Sequence, residues 1–545
     1  MTKFRNQNLR ASLATMDPKP RPKPVARVIP KPNTTNRSGH AAYKLDSWLR
    51  LLTMLNTLKL ENQFYRSETD TMRELKTVVD TCAKQDPYLV AQCIVYSRCV
   101  GEGMRSVNHL AATYLAPHCG GLEWARRFYS LWNKKTQSGG TIFRPDDMAE
   151  IIACFSALNK TKATNAMKKG FAAAIENLDA YSVLKYKKAL IDVINVVHPN
   201  PKNSKATVKD GRKNVNVIDA VIKGLNVSAD TWEVAQSDAG QLVAEAVKSG
   251  KLDKNEAAEV LKEAKAENWN ALLKDGKLGI LAALRNIRNM LKTVSDANTV
   301  KMLTHLLSDG DAIRKGKIMP YQIDLANEVV NAEFSGAEPR LISAALLKGY
   351  NAAVPNLAEM LPGRNLVILD CSGSMSDRSM NIKDPNKSVT YNVTSQTKGS
   401  LIAATIAKAT NADVILFGDN AKVGNWNANS DVFSIAQSFH CNMGCTSLAS
   451  AWRFAQQSGK KYDRVFILSD NECNKGNSYS AYTSYLESTG NPYVYSIDLA
   501  GYGTTQLVGP KVRFYFGYGY SMFDDIVKSE FNPNYHLEKV RAIVI

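Results

Sequence analysis

An apolar run, Asn365-Leu366-Val367-Ile368-Leu369, ends abruptly in Asp370, and two hydroxyls follow at alternate positions, Ser372 and Ser374. A carboxylate and two hydroxyls at this spacing offer only hard oxygen donors, which suit Mg2+, or Mn2+, and not a thiolate-seeking metal. Cys371 stands between the donors, and its sulfur is expected to point elsewhere. Two more oxygens occupy comparable places: Thr446 lies in the small-residue loop Met443-Gly444-Cys445-Thr446-Ser447, and Asp470 ends the apolar run Val465-Phe466-Ile467-Leu468-Ser469. Donors at the carboxyl ends of parallel strands stand where open α/β sheets place their sites. The plainer alternative is a capped strand end whose hydroxyls bond local backbone.

A second chemistry is basic. Leu184-Lys185-Tyr186-Lys187-Lys188 precedes His198-Pro199, and Lys202, Lys205, Lys209, Arg212 and Lys213 follow in a polar stretch. Cations interleaved with an aromatic ring and a histidine can contact phosphates and stack on unpaired bases; a solvated helix face would also explain the lysines. Farther on, Arg285, Arg288, Asn289 and Lys292 recur at helical spacing opposite an apolar stripe. Such a stripe can line a groove for single strands or be a salt-bridged exposed face.

The elements that must carry these groups differ along the chain. From about residue 43 to 350, apolar residues recur at spacings of three and four, as in Leu45, Trp48, Leu49, Leu52, Leu55 and Leu58, with Gly and Pro between the segments. About 300 residues of helical pattern without strand alternation predict stacked helix pairs, an α-solenoid. After Pro362 strands and helices alternate: strands over 366–370, 413–417, 465–470, 493–497 and 512–516, helices over 401–410, 448–457 and 522–529. That alternation predicts a doubly wound α/β sheet, with the polar insertion 376–399 as a surface loop or short turns near the metal rim. Residues 1–40 interleave Lys and Arg with Pro and predict an extended arm. The expected domains are thus 1–40, 41–360 and 361–545.

The net charge is +18, and residues 361–545 hold 17 basic and 15 acidic side chains, so almost all of the excess precedes the α/β part. A polyanion partner for the helical part follows, nucleic acid first and a membrane surface second. No run of about 18 uncharged apolar residues occurs and the N-terminus has no signal-like apolar segment, so a cytoplasmic location without membrane insertion is expected. Nine scattered cysteines do not read as a disulfide framework. Enzyme signatures are missing: no phosphate-binding G-x-x-x-x-G-K-[ST] and no H-E-x-x-H occurs, and Ser372 and Ser374 have no base near them in sequence. Binding, not catalysis, is the expected activity.

The segments at Asp370, Thr446 and Asp470 together resemble the metal-ion-dependent adhesion site of von Willebrand factor A domains. The resemblance implies that Asp370, Ser372 and Ser374 hold the ion, that Thr446 and Asp470 contribute directly or through water, and that an open position takes a partner's carboxylate. In the helical part, Met104-Arg105, Lys185-Tyr186, His198-Pro199, Thr231-Trp232-Glu233 with Ser237, Leu284-Arg285-Asn286-Ile287-Arg288-Asn289 and Met319-Pro320 resemble, in this order, the recurrent motifs of the TROVE domain of the Ro autoantigen family. This second resemblance implies a ring of HEAT-like helical repeats closed by the A domain. Structured Y-like RNA would bind a basic outer surface, and single-stranded 3′ ends of misfolded noncoding RNA would enter a central hole. Carried over by motif, Lys185 and His198 fall on the outer surface with Lys187 and Lys188 beside them, while Arg105, Arg285 and Arg288 are candidates for contacts near the hole. A protein partner at the metal, an exoribonuclease among the candidates, is implied as well. The alternative is a metal-dependent protein scaffold without specific RNA binding.

Overall fold

The computed structural model describes residues 29–134, 142–210, 213–225, 227, 232–293, 296–376, 381–383 and 390–545. Residues 1–28 of the expected arm, Arg212, Thr231 and much of the polar insertion lie outside the described residues.

Helices dominate from Ser47–Thr57 to Ala337–Ala353, and local chemistry sets their ends. Asp46 accepts the amides of Trp48 and Leu49, Ser67 accepts that of Asp70, and Asp86 caps the helix that Pro87 opens. These side chains satisfy amide donors that a first turn leaves unpaired. The helical stretch has two cores. Residues 51–221 share one, which also takes in Phe516, Val540 and Ile545; residues 269–361 share another, continuous with one face of the sheet. The basic polar stretch after His198 is partly a hairpin, Thr207–Asp210 against Lys213–Asn216, where sequence suggested only a loop.

The second half is built on a six-stranded sheet: β1 (Asn365–Asp370), β2 (Asp413–Phe417), β3 (Ala421–Val423), β4 (Arg464–Ser469), β5 (Tyr493–Asp498) and β6 (Val512–Phe516), in the order β6-β5-β4-β1-β2-β3. All neighbours are parallel except β3, which turns back on β2. Period-two alternation splits each strand between two cores. Leu366, Ile368, Val465 and Ile467 meet Trp452, Tyr482 and Tyr485 of helices Leu448–Gln457 and Ser478–Ser488. Val367, Leu369, Phe466 and Leu468 face Leu401, Ala404 and their neighbours on helix Ser395–Thr410. The sheet is therefore covered on both faces, as five parallel strands require. All five expected strands form. Helix 401–410 begins earlier, at Ser395, because Thr394 caps it, and the expected helix 522–529 splits into Tyr520–Asp525 and Lys528–Phe531.

Both ends of the helical stretch touch the α/β half. Gln92 Nε2 donates to the carbonyls of Arg541 (3.1 Å) and Ile543 (2.6 Å), and Glu102 accepts the Tyr518 amide at 3.1 Å. Near the other end, Arg314 pairs with Asp524 at 2.7 Å, and the Tyr350 and Thr405 hydroxyls lie 2.7 Å apart.

One expectation needs correcting. The extended arm does not reach residue 40: Ile29 is buried in the sheet's core, and strand Thr34–Thr35 pairs with Ala41–Lys44, which pairs in turn with Thr504–Thr505. Strand ladders and one buried isoleucine outweigh the proline and lysine bias that predicted a free chain.

Candidate metal centre and nucleic-acid interface

The carboxyl end of β1 delivers Asp370, whose Oδ1 accepts the Ser372 amide (2.9 Å) and whose Oδ2 accepts the Ser469 hydroxyl (2.6 Å). Ser372 Oγ and Ser374 Oγ lie 3.2 Å apart, and Ser374 lies close to Asp470. Backbone bonds stitch this loop to the one bearing Thr446: Met443 N donates to Cys371 O (2.7 Å) and Gly373 N to Gly444 O (2.9 Å). Gly418 is required beneath them, because a methyl there would overlap the backbone of Met443. Thr446 is held by Asn474, whose Oδ1 accepts the Thr446 amide at 2.8 Å, and Asp470 Oδ1 accepts the Glu472 amide at 3.0 Å. Asp370, Ser372, Ser374, Thr446 and Asp470 thus come together from three segments.

These residues fit a hard cation. Burial, and then the charge of Asp470, raise the Asp370 carboxyl above its usual range; burial raises Asp470 too. No described cationic side chain forms an ion pair with either carboxylate, and Asp470 Oδ2 is buried without a hydrogen-bond partner. Two buried carboxylates that repel each other, an orphaned oxygen and three hydroxyls are a donor set that a divalent ion would satisfy. Glu472 is the third buried carboxyl here, pushed up to about 8 by burial and then by Asp470.

The five residues are closely covered. Ser374, the most exposed of the five residues, is only 7 % exposed. Arg37 N and Ser38 N donate to Glu472 Oε2 at 2.8 and 3.3 Å, Asn36 Nδ2 donates to Cys473 O at 2.6 Å, and the Tyr65 phenol lies close to Ser374 and Ser38. What is left beside Ser374 and Asp470 is a cavity of about 20 Å3, bordered also by Lys59, Lys398 and Tyr502.

The basic candidates fall in two places. Lys185 ends helix Ala180–Lys185 with Nζ 5.7 and 5.9 Å from the ring centres of Tyr181 and Tyr186. Lys187 Nζ donates to Val227 O at 3.0 Å, Lys188 is exposed, and His198 is an exposed left-handed cap (φ 50°) on helix Lys187–Val197. Arg105, which motif alignment set apart from these, is linked to them. It pairs with Asp147 (2.6 Å) and Asp146 (2.8 Å); Arg144 also pairs with Asp146 (3.0 Å) and lies 5.4 Å from the Tyr186 ring centre. Arg144 was missed because its neighbours in sequence, Pro145-Asp146-Asp147, give no basic stripe. Arg285 and Arg288 lie on helix Ile280–Thr293: Arg285 is exposed, Arg288 pairs with Glu333, and both border a cavity of about 280 Å3 with Leu281, Tyr321 and Leu325.

Beneath Arg105, His109 sits between Asp147 (2.9 Å) and Glu150 (3.0 Å), a cluster whose donors could also hold a metal. Each ring nitrogen already faces a carboxylate and Arg105 supplies further positive charge, so the cluster reads as a charged imidazole bracing the arginine.

The family model described as the TROVE domain matches residues 244–356. The solved structure of the Deinococcus radiodurans RO (RSR) protein superposes with a TM-score of 0.54 at 15 % identity, covering 89 % of this chain and 100 % of that one. Residues 244–356 match the TROVE domain, and the fold is like that of a Ro protein. Proximal thread matrix protein 1 from the mussel byssus shows a TM-score of 0.21 at 13 % identity over 36 % of this chain and 52 % of that one, too slight to bear on fold or function. No curated protein matches the sequence. The matched segment carries Arg285 and Arg288, while Lys185, His198 and all five candidate metal ligands lie outside it.

Proposed function

We propose that this TROVE-domain chain captures noncoding RNA. Supporting this most directly is the continuous line Arg105, Asp146, Arg144, Tyr186, Lys185, in which an aromatic face is flanked by cations on a fold like that of a Ro protein. Guanidinium and ammonium groups neutralise phosphates, and the half-buried Tyr186 ring beside them offers a surface for an unpaired base. In this reading Lys185, Lys187, Lys188 and His198, joined by Arg144, receive structured Y-like RNA on an outer surface. Arg285 and Arg288 meet the single-stranded 3′ ends of misfolded RNA in a hole enclosed by a ring of HEAT-like repeats. Arg105, Asp147 and His109 brace the first surface.

We read the α/β half as a von Willebrand factor A domain, with Asp370, Ser372, Ser374, Thr446 and Asp470 holding Mg2+, or Mn2+. The ion would supply positive charge at the strand ends, and the chain's own residues would orient it. In so covered a site a protein partner's carboxylate, such as that of an exoribonuclease, has no open approach to the ion. A cytoplasmic setting accords with this function, as does the lack of any described helix long and apolar enough to cross a membrane.

The test is crosslinking and sequencing of RNA that copurifies with the wild-type protein and with Lys185→Ala/His198→Ala, followed by binding measurements across salt. Enrichment of particular structured RNAs, lost in the variant, supports the reading. So does a steep salt dependence: a surface neutralising about six phosphates loses ~10^3-fold in affinity between 50 and 200 mM salt. An RNA-free preparation that binds neither structured nor 3′-tailed RNA would overturn it.

A further inference from the structure

We propose that the cation site at Asp370 is a closed internal clasp: an ion there fastens Tyr65 and the turn at 36–38 to the carboxyl ends of β1 and β4. It does not serve as a landing place for a partner. The proposal rests on the reading that these residues hold a cation, and it concerns what covers them.

Three observations carry it. The first is burial: Asp370 is wholly buried, and Ser372, Thr446 and Asp470 are each 1 % exposed. An external carboxylate needs an approach to the ion, and beside Ser374 and Asp470 only a cavity of about 20 Å3 is left, bordered by Tyr502, with the Tyr65 phenol close to Ser374.

The second is that the cover is built into the fold. The turn at 36–38 closes on itself through Asn36 N to His40 O (2.8 Å) and His40 N to Asn36 Oδ1 (2.9 Å), with Gly39 at φ +82°. It stands at the end of the ladder joining Thr34–Thr35, Ala41–Lys44 and Thr504–Thr505. The Tyr65 ring packs edge-on against Tyr502 at 5.6 Å, and Tyr502 carries the Arg66 guanidinium 5.3 Å from its ring centre. Arg66 is itself anchored, pairing with Glu74 at 3.1 Å and donating to Gly501 O at 3.4 Å; Arg37 and Arg50 pair with the same Glu74. A phenol held by an aromatic neighbour and a three-arginine knot is a fixed wall, not a passing side chain.

The third is charge. A partner would bring one carboxylate, and Glu472, wholly buried two residues after Asp470, already puts a third carboxyl in this region. Its Oε2 is tied to the 36–38 turn, whereas its Oε1 is buried without a hydrogen-bond partner. A buried carboxyl next to Asp470 already fills the place and repels the charge of an incoming carboxylate.

The experiment uses the full chain, Mn2+ as the probe, and three readouts: calorimetric titration, water-proton relaxation of the bound ion, and hydrogen exchange of the amides at 36–44 and 63–66. Expected for wild type are stoichiometric Mn2+ binding, low relaxation enhancement that millimolar acetate leaves unchanged, and at least tenfold slower exchange in both segments with the ion than without. Tyr65→Phe and Ser38→Ala, each a small excision, should still bind Mn2+ but lose that slowing, and Tyr65→Ala should gain relaxation enhancement that acetate then lowers. Stoichiometric binding with acetate-sensitive relaxation in wild type, or with exchange at 36–44 indifferent to the ion, overturns the clasp while leaving the metal reading intact. No Mn2+ binding by wild type overturns the metal reading and the clasp with it.

Discussion

Arg144 places its guanidinium carbon 5.4 Å from the centre of the Tyr186 ring while donating to Asp146 at 3.0 Å, so one carboxylate joins the arginine over that ring to Arg105. The pairing turns two basic segments into one surface with an aromatic centre.

If that surface binds RNA, Tyr186→Ala should weaken binding of an RNA with unpaired bases by about tenfold, since base–aromatic stacking contributes ~1–3 kcal/mol. Tyr186→Phe should bind nearly as the wild type does, and Arg144→Ala should lower both affinity and salt dependence. Filter binding at several salt concentrations measures all three; an unchanged Tyr186→Ala affinity would remove the ring from the interface.

The brace beneath Arg105 predicts a pH signature. Burial alone would lower the His109 pKa, but hydrogen bonds and charge from Asp147 and Glu150 raise it on balance, so its contribution to stability is full below the unfolded value of about 6.5 and is lost as pH rises through the folded one. Asp147 shifts the other way: against its burial, His109 and the Arg144 amide bring it down to about 2, so its contribution is present above about 4 and is lost toward pH 2. Melting profiles of His109→Gln should accordingly lose stability most at pH 4–6.5 and least at pH 8. A loss that is uniform across pH would contradict the charged-imidazole assignment.

At the strand ends the sign is reversed for carboxyls. Burial raises Asp498 to about 7 and Glu472 to about 8, so in metal-free protein their contributions are full below the unfolded values near 4 and are lost as pH rises through 7–8. EDTA-treated protein should therefore melt at a lower temperature at pH 8 than at pH 5. Saturating Mn2+ should recover much of the difference, because an ion at a hundred times its dissociation constant adds ~2.7 kcal/mol. Asp370→Asn should abolish the recovery in the same melting experiment.

Gly418 gives a steric prediction. Its missing side chain lets the loop after β2 lie against Met443, with Asp419 N donating to Met443 O at 2.8 Å. Gly418→Ala should cost ~1–3 kcal/mol by overpacking and displace the loop that carries Thr446, lowering Mn2+ affinity as well as thermal stability. A variant with wild-type melting and wild-type Mn2+ titration would show that the loops can separate freely.

Much of the site could be read from sequence because its signals are local. An apolar strand ending in Asp-x-Ser-x-Ser needs only the period of a strand and the polarity of its last residues, and the same holds for β4 ending before Asp470. The helical half was legible for the same reason, its apolar faces recurring every three or four residues. Tertiary structure alone decided what covers the candidate ion site and what connects the basic residues. Tyr65 and Ser374 are brought together across some three hundred residues, and Arg105 finds Asp147, as Arg144 finds Tyr186, through packing between helices. No periodicity encodes such pairs: each depends on one side chain meeting another after the cores have formed, just as one buried Ile29 and a short strand ladder seat a segment whose composition reads as free chain.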